Sequence, residues 1–192
     1  MNPRPISPSG GPLLPRLLNA VLLRRSFYDA VAADTRATGP AGAVVCLAAI
    51  ARESVALYQL SEASQGWGLI LALIVVFAIL RWLLYASVMY PIARGLSSQP
   101  VEFKRLLRCL GFAETPAVIS LVGFLVDDSL FPYVQFGVGV WLLLATIVAV
   151  RSATGERTRR AILIGVLGFA AYLAIGVASD IALHGPQAAP SA

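Results

Sequence analysis

From Leu130 to Val150 the chain runs through 21 residues without a charged side chain. As a helix, at 1.5 Å per residue, that stretch covers about 31 Å, which is the thickness of a bilayer's hydrocarbon core. Four other segments come close. Trp67 to Ala93 carries one charge, Arg81, and Ala161 to Leu183 carries Asp180 near its end. Leu110 to Val126 contains Glu114 and Pro116, and Gly39 to Leu60 contains Arg52 and Glu53. The whole sequence is 58% hydrophobic and 13% charged, with a mean hydropathy of +0.77. Soluble domains carry about 25% charged residues and cannot hide this much apolar surface. A water-soluble globule and a disordered chain are both excluded. The expected fold is all-α: a polytopic membrane bundle of five transmembrane helices with an N-terminal amphipathic helix.

The charges orient that bundle. Before the first span lie Arg4, Arg16, Arg24, Arg25 and Arg36. Between spans two and three lie Arg94, Lys104, Arg105 and Arg108, and between spans four and five Arg151, Arg157, Arg159 and Arg160. The opposite connections hold Glu62, Asp127 and Asp128 and no Lys or Arg. Basic residues gather on the cytoplasmic side of membrane proteins. The expected topology therefore has the N-terminus in the cytoplasm and the C-terminus outside. The net charge of +5 then reads as an address for topology, and no nucleic-acid partner is expected. Lys104 is the single Lys among 15 basic residues, a bias that with abundant Ala and Gly fits a bacterial inner membrane.

Four units are expected along the chain. Residues 1–12, rich in Pro, Ser and Gly, read as a cytoplasmic tail, with no uninterrupted apolar core of a secretory signal behind them. Residues 13–38 read as one amphipathic helix at the cytoplasmic interface. Leu14, Leu17, Leu18, Val21, Leu22, Tyr28 and Val31 recur at spacings of three and four, with Arg16, Asn19, Arg25 and Asp29 opposite. Such a helix either lies in the interface or docks on the bundle. Residues 39–184 form the five-span domain, and 185–192 a short tail. Cys46 and Cys109 read as apolar packing residues.

Three pieces of sequence resemble the Yip1 domain family of five-span membrane proteins. Phe27-Tyr28-Asp29-Ala30-Val31-Ala32-Ala33-Asp34 leads to Ala37-Thr38-Gly39-Pro40-Ala41 at the mouth of span one. Phe103 to Pro116 reads FKRLLRCLGFAETP, a basic segment followed by a Gly-aromatic pair and a Pro. Val140-Trp141 in span four is followed by Val148-Ala149-Val150-Arg151 and the turn to Arg160-Ala161-Ile162. The resemblance implies a cytoplasmic N-terminus. Eukaryotic members are tied to vesicle traffic and small GTPases. This chain lacks their Asp-Leu-Tyr-Gly-Pro run, so the resemblance does not extend to that partner.

Charges inside spans cost about 2.5–3.5 kcal/mol each on insertion scales, so each calls for a reason. Arg52, Glu53, Arg81 and Glu114 form the candidate intramembrane polar network. Glu53 is the expected neutraliser of Arg52, Arg81 or both; Glu114 has Arg108 or Arg81 as candidate partners. Gly165, Gly168, Tyr172 and Gly176 share a face of span five and form a candidate packing face, within the chain or between copies. No catalytic set is apparent. His184 is the only His, too few for a zinc site, and no Gly-x-Ser-x-Gly elbow occurs. No cofactor or metal is expected. The reading is a non-enzymatic scaffold or adaptor with a basic cytoplasmic face that meets anionic lipid head groups. A membrane or cytoplasmic protein partner and self-association are left open. The alternative is a small transporter, channel or lipid-moving protein built on the midplane charges.

Overall fold

A computed structural model describes residues 13–61, 67–125 and 129–184 of the chain. The expected tails at 1–12 and 185–192, and Glu62, Asp127 and Asp128, lie outside the described residues. Seven α-helices are present in that part: α1 Leu13–Val21, α2 Arg25–Ala33, α3 Thr38–Ser61, α4 Trp67–Leu96, α5 Phe103–Ala113, α6 Phe131–Thr154 and α7 Thr158–His184. A short 3₁₀ turn, Thr35–Ala37, precedes α3, and a 3₁₀ segment, Thr115–Leu125, follows α5. The described residues form an all-α bundle. Among them, Gly68–Leu96 and Phe131–Thr154 are helices long and apolar enough to cross a membrane.

The long helices follow from composition. α4 runs from Trp67 to Leu96 on a backbone rich in Leu and Ala, with only Gly68, Pro91 and Gly95 strongly unfavourable to a helix. Pro132 sits at the start of α6, where a missing N–H costs nothing, and Gly155 ends that helix in the left-handed conformation at φ 72°. The outward faces are apolar. Leu69 is 68% exposed, Phe77 65%, and Tyr133 and Phe136 75%. In water such a surface is a liability; against lipid chains it is neutral. The packed core lies toward the basic end. There α5 is wrapped by α2, α3, α4 and α6, and every residue from Leu106 to Ala113 is buried.

The amphipathic stretch folds differently from the expected single helix. It breaks at Leu22-Leu23-Arg24 into α1 and α2. Leu23 takes φ 52°, its N–H bonds Ala20 O at 3.0 Å, and the Arg24 N–H bonds Asn19 O at 3.1 Å. Those two bonds make a Schellman stop, usually built on Gly. Beyond it α2 docks into the bundle through Phe27, Tyr28, Val31 and Ala32. In α1 the expected faces are only partly kept: Ala20 is buried and Leu17 packs on the core, but other positions are reversed. Arg16 is 4% exposed, whereas Leu18 is 54% and Leu22 59% exposed. Trp141 of α6 donates to Val21 O at 2.9 Å, which places the end of α1 beside the middle of α6.

Span three also departs from a continuous α-helix over Leu110–Val126. Thr115 precedes Pro116, and a residue before proline is pushed out of the α region. α5 therefore ends at Ala113, with the Thr115 hydroxyl donating to Phe112 O at 2.6 Å. The chain continues as 3₁₀ helix, a run well beyond the three or four residues usual for that type. By contrast α3 passes without interruption through Arg52 and Glu53. The short α5 can approach α3 closely because Gly111 has no side chain. A Cβ there would stand 2.8 Å from the Ala41 Cβ and 3.2 Å from its carbonyl oxygen.

Candidate functional site

Antiparallel α3 and α4 bring the charges of the expected polar network to one level. Arg52 lies about 21 Å from the start of α3, and Arg81 about 22 Å from the end of α4, at 1.5 Å per residue. Glu114 arrives at the same place because α5 stops there. Arg52 Nη2 donates to Glu114 Oε2 in a direct ion pair, with the side chains 22% and 17% exposed. The anion that neutralises Arg52 is therefore Glu114, 62 residues away, and not the adjacent Glu53. Side chains at consecutive helical positions diverge by about 100°, which turns Glu53 away from its neighbour.

Arg81 stands between two spaces. On the inner side it lines a crevice with Val45, Trp82, Tyr85, Glu114 and Tyr172. On the outer side it lines a groove of about 320 Å³ between α3 and α4, with Arg52, Glu53, Ile70, Ile74 and Phe77. No described residue lies within ion-pair distance of Arg81 or Glu53. Tyr85 and Tyr172 close the crevice, with ring centroids 4.6 Å apart, and the Tyr85 hydroxyl donates to Thr146 Oγ1 at 3.3 Å. Tyr172 lies within electrostatic reach of Arg81, Glu114 and Arg52. Neither Tyr85 nor Thr146 stands out in the sequence, since both occur singly in apolar stretches.

The basic end carries a second polar cluster. Glu156, in the turn between α6 and α7, is 6% exposed. Its Oε1 accepts from the Ser97 hydroxyl at 3.1 Å, the Ser98 hydroxyl at 2.6 Å and the Ser98 backbone N–H at 2.5 Å. Its Oε2 faces Arg160 Nη1 at 3.4 Å. The Ser98 hydroxyl and N–H, then the Ser97 hydroxyl and Arg160, outweigh the effect of burial and hold its carboxyl down at about 2. Glu156 thus ties the α4–α5 connection to the α6–α7 turn. Two arginines tie α5 to its neighbours in the same region. Arg108, 3% exposed, donates to Ala32 O at 3.0 Å, and Arg105 donates to Ser152 O at 2.9 Å. Sequence reading puts both in a cytoplasmic loop; a helix that buries its basic residues against carbonyl groups leaves no sign in one-dimensional spacing.

Gly165 and Gly168, from the expected packing face of α7, are occupied inside the chain. A Cβ on Gly165 would meet Ile147 Cγ1 of α6 at 2.8 Å, and one on Gly168 would meet Met89 Sδ of α4 at 1.6 Å. Tyr172 packs on Tyr85. Gly176, Asp180 and His184 lie outside the residues whose side-chain surroundings are described. Cys46 and Cys109 are free thiols, Cys109 buried. Among the described residues no three His, Cys, Asp or Glu side chains group to hold a metal.

A helical bundle with lipid-exposed apolar helices, buried charges paired by depth and a packed basic end defines an integral membrane protein. Its family is shown by a match of residues 20–179 to the Yip1 domain. The chain belongs to the Yip1 domain family. No curated protein and no solved structure matches it.

Proposed function

We propose that this Yip1-domain protein is a non-enzymatic scaffold or adaptor, set in a bacterial inner membrane by five spans with the N-terminus in the cytoplasm. α3, α4, the α5–3₁₀ unit, α6 and α7 supply the five crossings in this reading. One observation carries the function. Exposed Arg94, Lys104, Arg157, Arg159 and Arg160 gather where α4 ends, α5 begins and α6 turns into α7. Glu156 and its serine partners fix that surface rather than leaving it as loose loops. A rigid basic face at the membrane boundary suits contact with anionic lipid head groups and with an acidic protein surface. The test places a photo-crosslinker at Lys104 and, as a control, at Phe136 in native membranes. A stoichiometric protein adduct from Lys104 alone supports the adaptor. Equal labelling from both positions refutes it. Topology is read from a C-terminal reporter, which is active outside in this reading.

A second reading has its own observation. The groove between α3 and α4 pairs an apolar wall with Arg81 and Glu53. That arrangement suits a lipid-moving or transport role at the membrane midplane. Flux in proteoliposomes that disappears in both Arg81→Ala and Glu53→Ala selects this reading over the adaptor.

A further inference from the structure

The turn between α6 and α7 concentrates positive charge where a helix tolerates it least. Arg157 precedes α7, Arg159 and Arg160 lie in its first turn, and that turn holds no acidic residue. The free N–H groups of a helix start already carry partial positive charge, and cations there are unfavourable. These three guanidinium groups line a cavity of about 520 Å³ with Ser98, Gln99, Gly155 and Glu156. Glu156 is the one anion in it, and both of its oxygens are engaged by Ser97, Ser98 and Arg160. Three cations against one carboxylate leave two positive charges and an unfavourable helix start without a counter-charge.

The cavity is also built. Gly155 at φ 72° makes the tight reversal, its N–H bonding Arg151 O at 2.9 Å. Glu156 then clamps that reversal to Ser97 and Ser98 across separations of 59 and 58 residues. A topology signal alone needs arginines in a cytoplasmic connection but no fixed cavity around them.

We infer that this cavity is a specific site for the head group of a two-phosphate anionic phospholipid, with Arg157, Arg159 and Arg160 on the phosphates and the Gln99 side chain as a neutral donor. The inference rests on the reading that this end lies at the cytoplasmic membrane surface. Guanidinium groups hold phosphate by paired hydrogen bonds, and basic pockets between membrane helices on this side take such head groups. Two residual positive charges match two phosphodiesters. Ser98 keeps both its hydroxyl and its N–H on Glu156 and so shapes the cavity wall.

The test uses the purified full chain in detergent, with cardiolipin as the probe and native mass spectrometry as the readout. One cardiolipin is retained per chain. Arg157→Gln/Arg159→Gln weakens it by roughly tenfold or more. Arg24→Gln/Arg36→Gln removes the same charge from exposed positions outside the cavity and changes binding less than twofold. Equal weakening by both pairs overturns the inference, because the attraction is then diffuse. So does equal retention of phosphatidylcholine, or displacement of cardiolipin by equimolar pyrophosphate, which marks a free-anion site. Unchanged thermal unfolding of the Arg157→Gln/Arg159→Gln variant separates lost binding from lost folding. The Lys104 crosslink reports on the adaptor separately, so failure of the lipid site and failure of the adaptor are distinct results.

Discussion

Removing either partner of the Arg52–Glu114 pair strands a charge that is about four-fifths shielded from solvent, since the side chains are 22% and 17% exposed. Breaking a buried pair from one side costs roughly 3–5 kcal/mol, and the residual exposure places Arg52→Gln near the lower figure, about 3 kcal/mol. For a chain of this size that lowers Tm by about 6–12 °C. Glu114→Gln costs more than Arg52→Gln, because Glu114 also faces Arg81 in the crevice. Replacing both, as Arg52→Met/Glu114→Leu, recovers most of the loss, since well-packed apolar residues substitute for a buried pair at little net cost. The shortfall from wild type reports what Arg81 loses. Glu53→Gln, with no described ion-pair partner, changes stability by about 0.5 kcal/mol or less. Thermal unfolding in mild detergent, followed by circular dichroism, gives all four values. Additive single and double variants refute the pairing. A Glu53→Gln cost equal to that of Glu114→Gln refutes the choice of anion.

Gly111→Ala drives a Cβ against the α3 backbone at Ala41 and Trp82 and costs about 1–3 kcal/mol by overpacking, read as a fall in Tm. Gly155→Ala forces a left-handed residue with a side chain and costs about 1–2 kcal/mol, although nothing crowds the Cβ. Trp82→Phe removes the indole N–H that donates to Leu107 O at 3.0 Å and loosens α4 from α5, seen as faster amide exchange in α5. The Glu156 carboxyl titrates near 2 in the folded chain against an ordinary value of 4.5. Its contribution is fully present above about pH 4.5 and is lost as pH falls toward 2. The Tm advantage of wild type over Glu156→Gln is thus constant at neutral pH and shrinks below pH 4.5; an advantage that grows on acidification contradicts the clamp.

The membrane class and the apolar segments are legible because they rest on composition and length, which survive any folding detail. The Gly-aromatic pair at Gly111-Phe112 and the Pro at 116 carry the family resemblance and also explain where α5 stops. The break inside residues 13–38 is not legible, since the left-handed position falls on Leu23 instead of Gly. Nor is the partial exchange of faces in α1. Amphipathic periodicity gives a stripe but not which of its members pack inward: Leu17 does, and Leu18 and Leu22 do not.

The ion pair shows the deeper limit. Depth arithmetic puts Arg52, Glu53 and Arg81 at one level, and that much follows from helix rise alone. Choosing the partner needs the rotation of α3 and the end point of α5. α3 turns Arg52 toward the bundle and leaves Glu53 on the outer groove, and Thr115-Pro116 stops α5 so that Glu114 stands at the right height. Both facts are tertiary. Two charges are thereby used to lock three segments together, while Arg81 and Glu53 remain along the groove that opens outward. The locked pair explains why the bundle tolerates charge at mid-depth. Glu53, exposed on that groove, is the charge stability does not require, and function is sought in side chains of that kind.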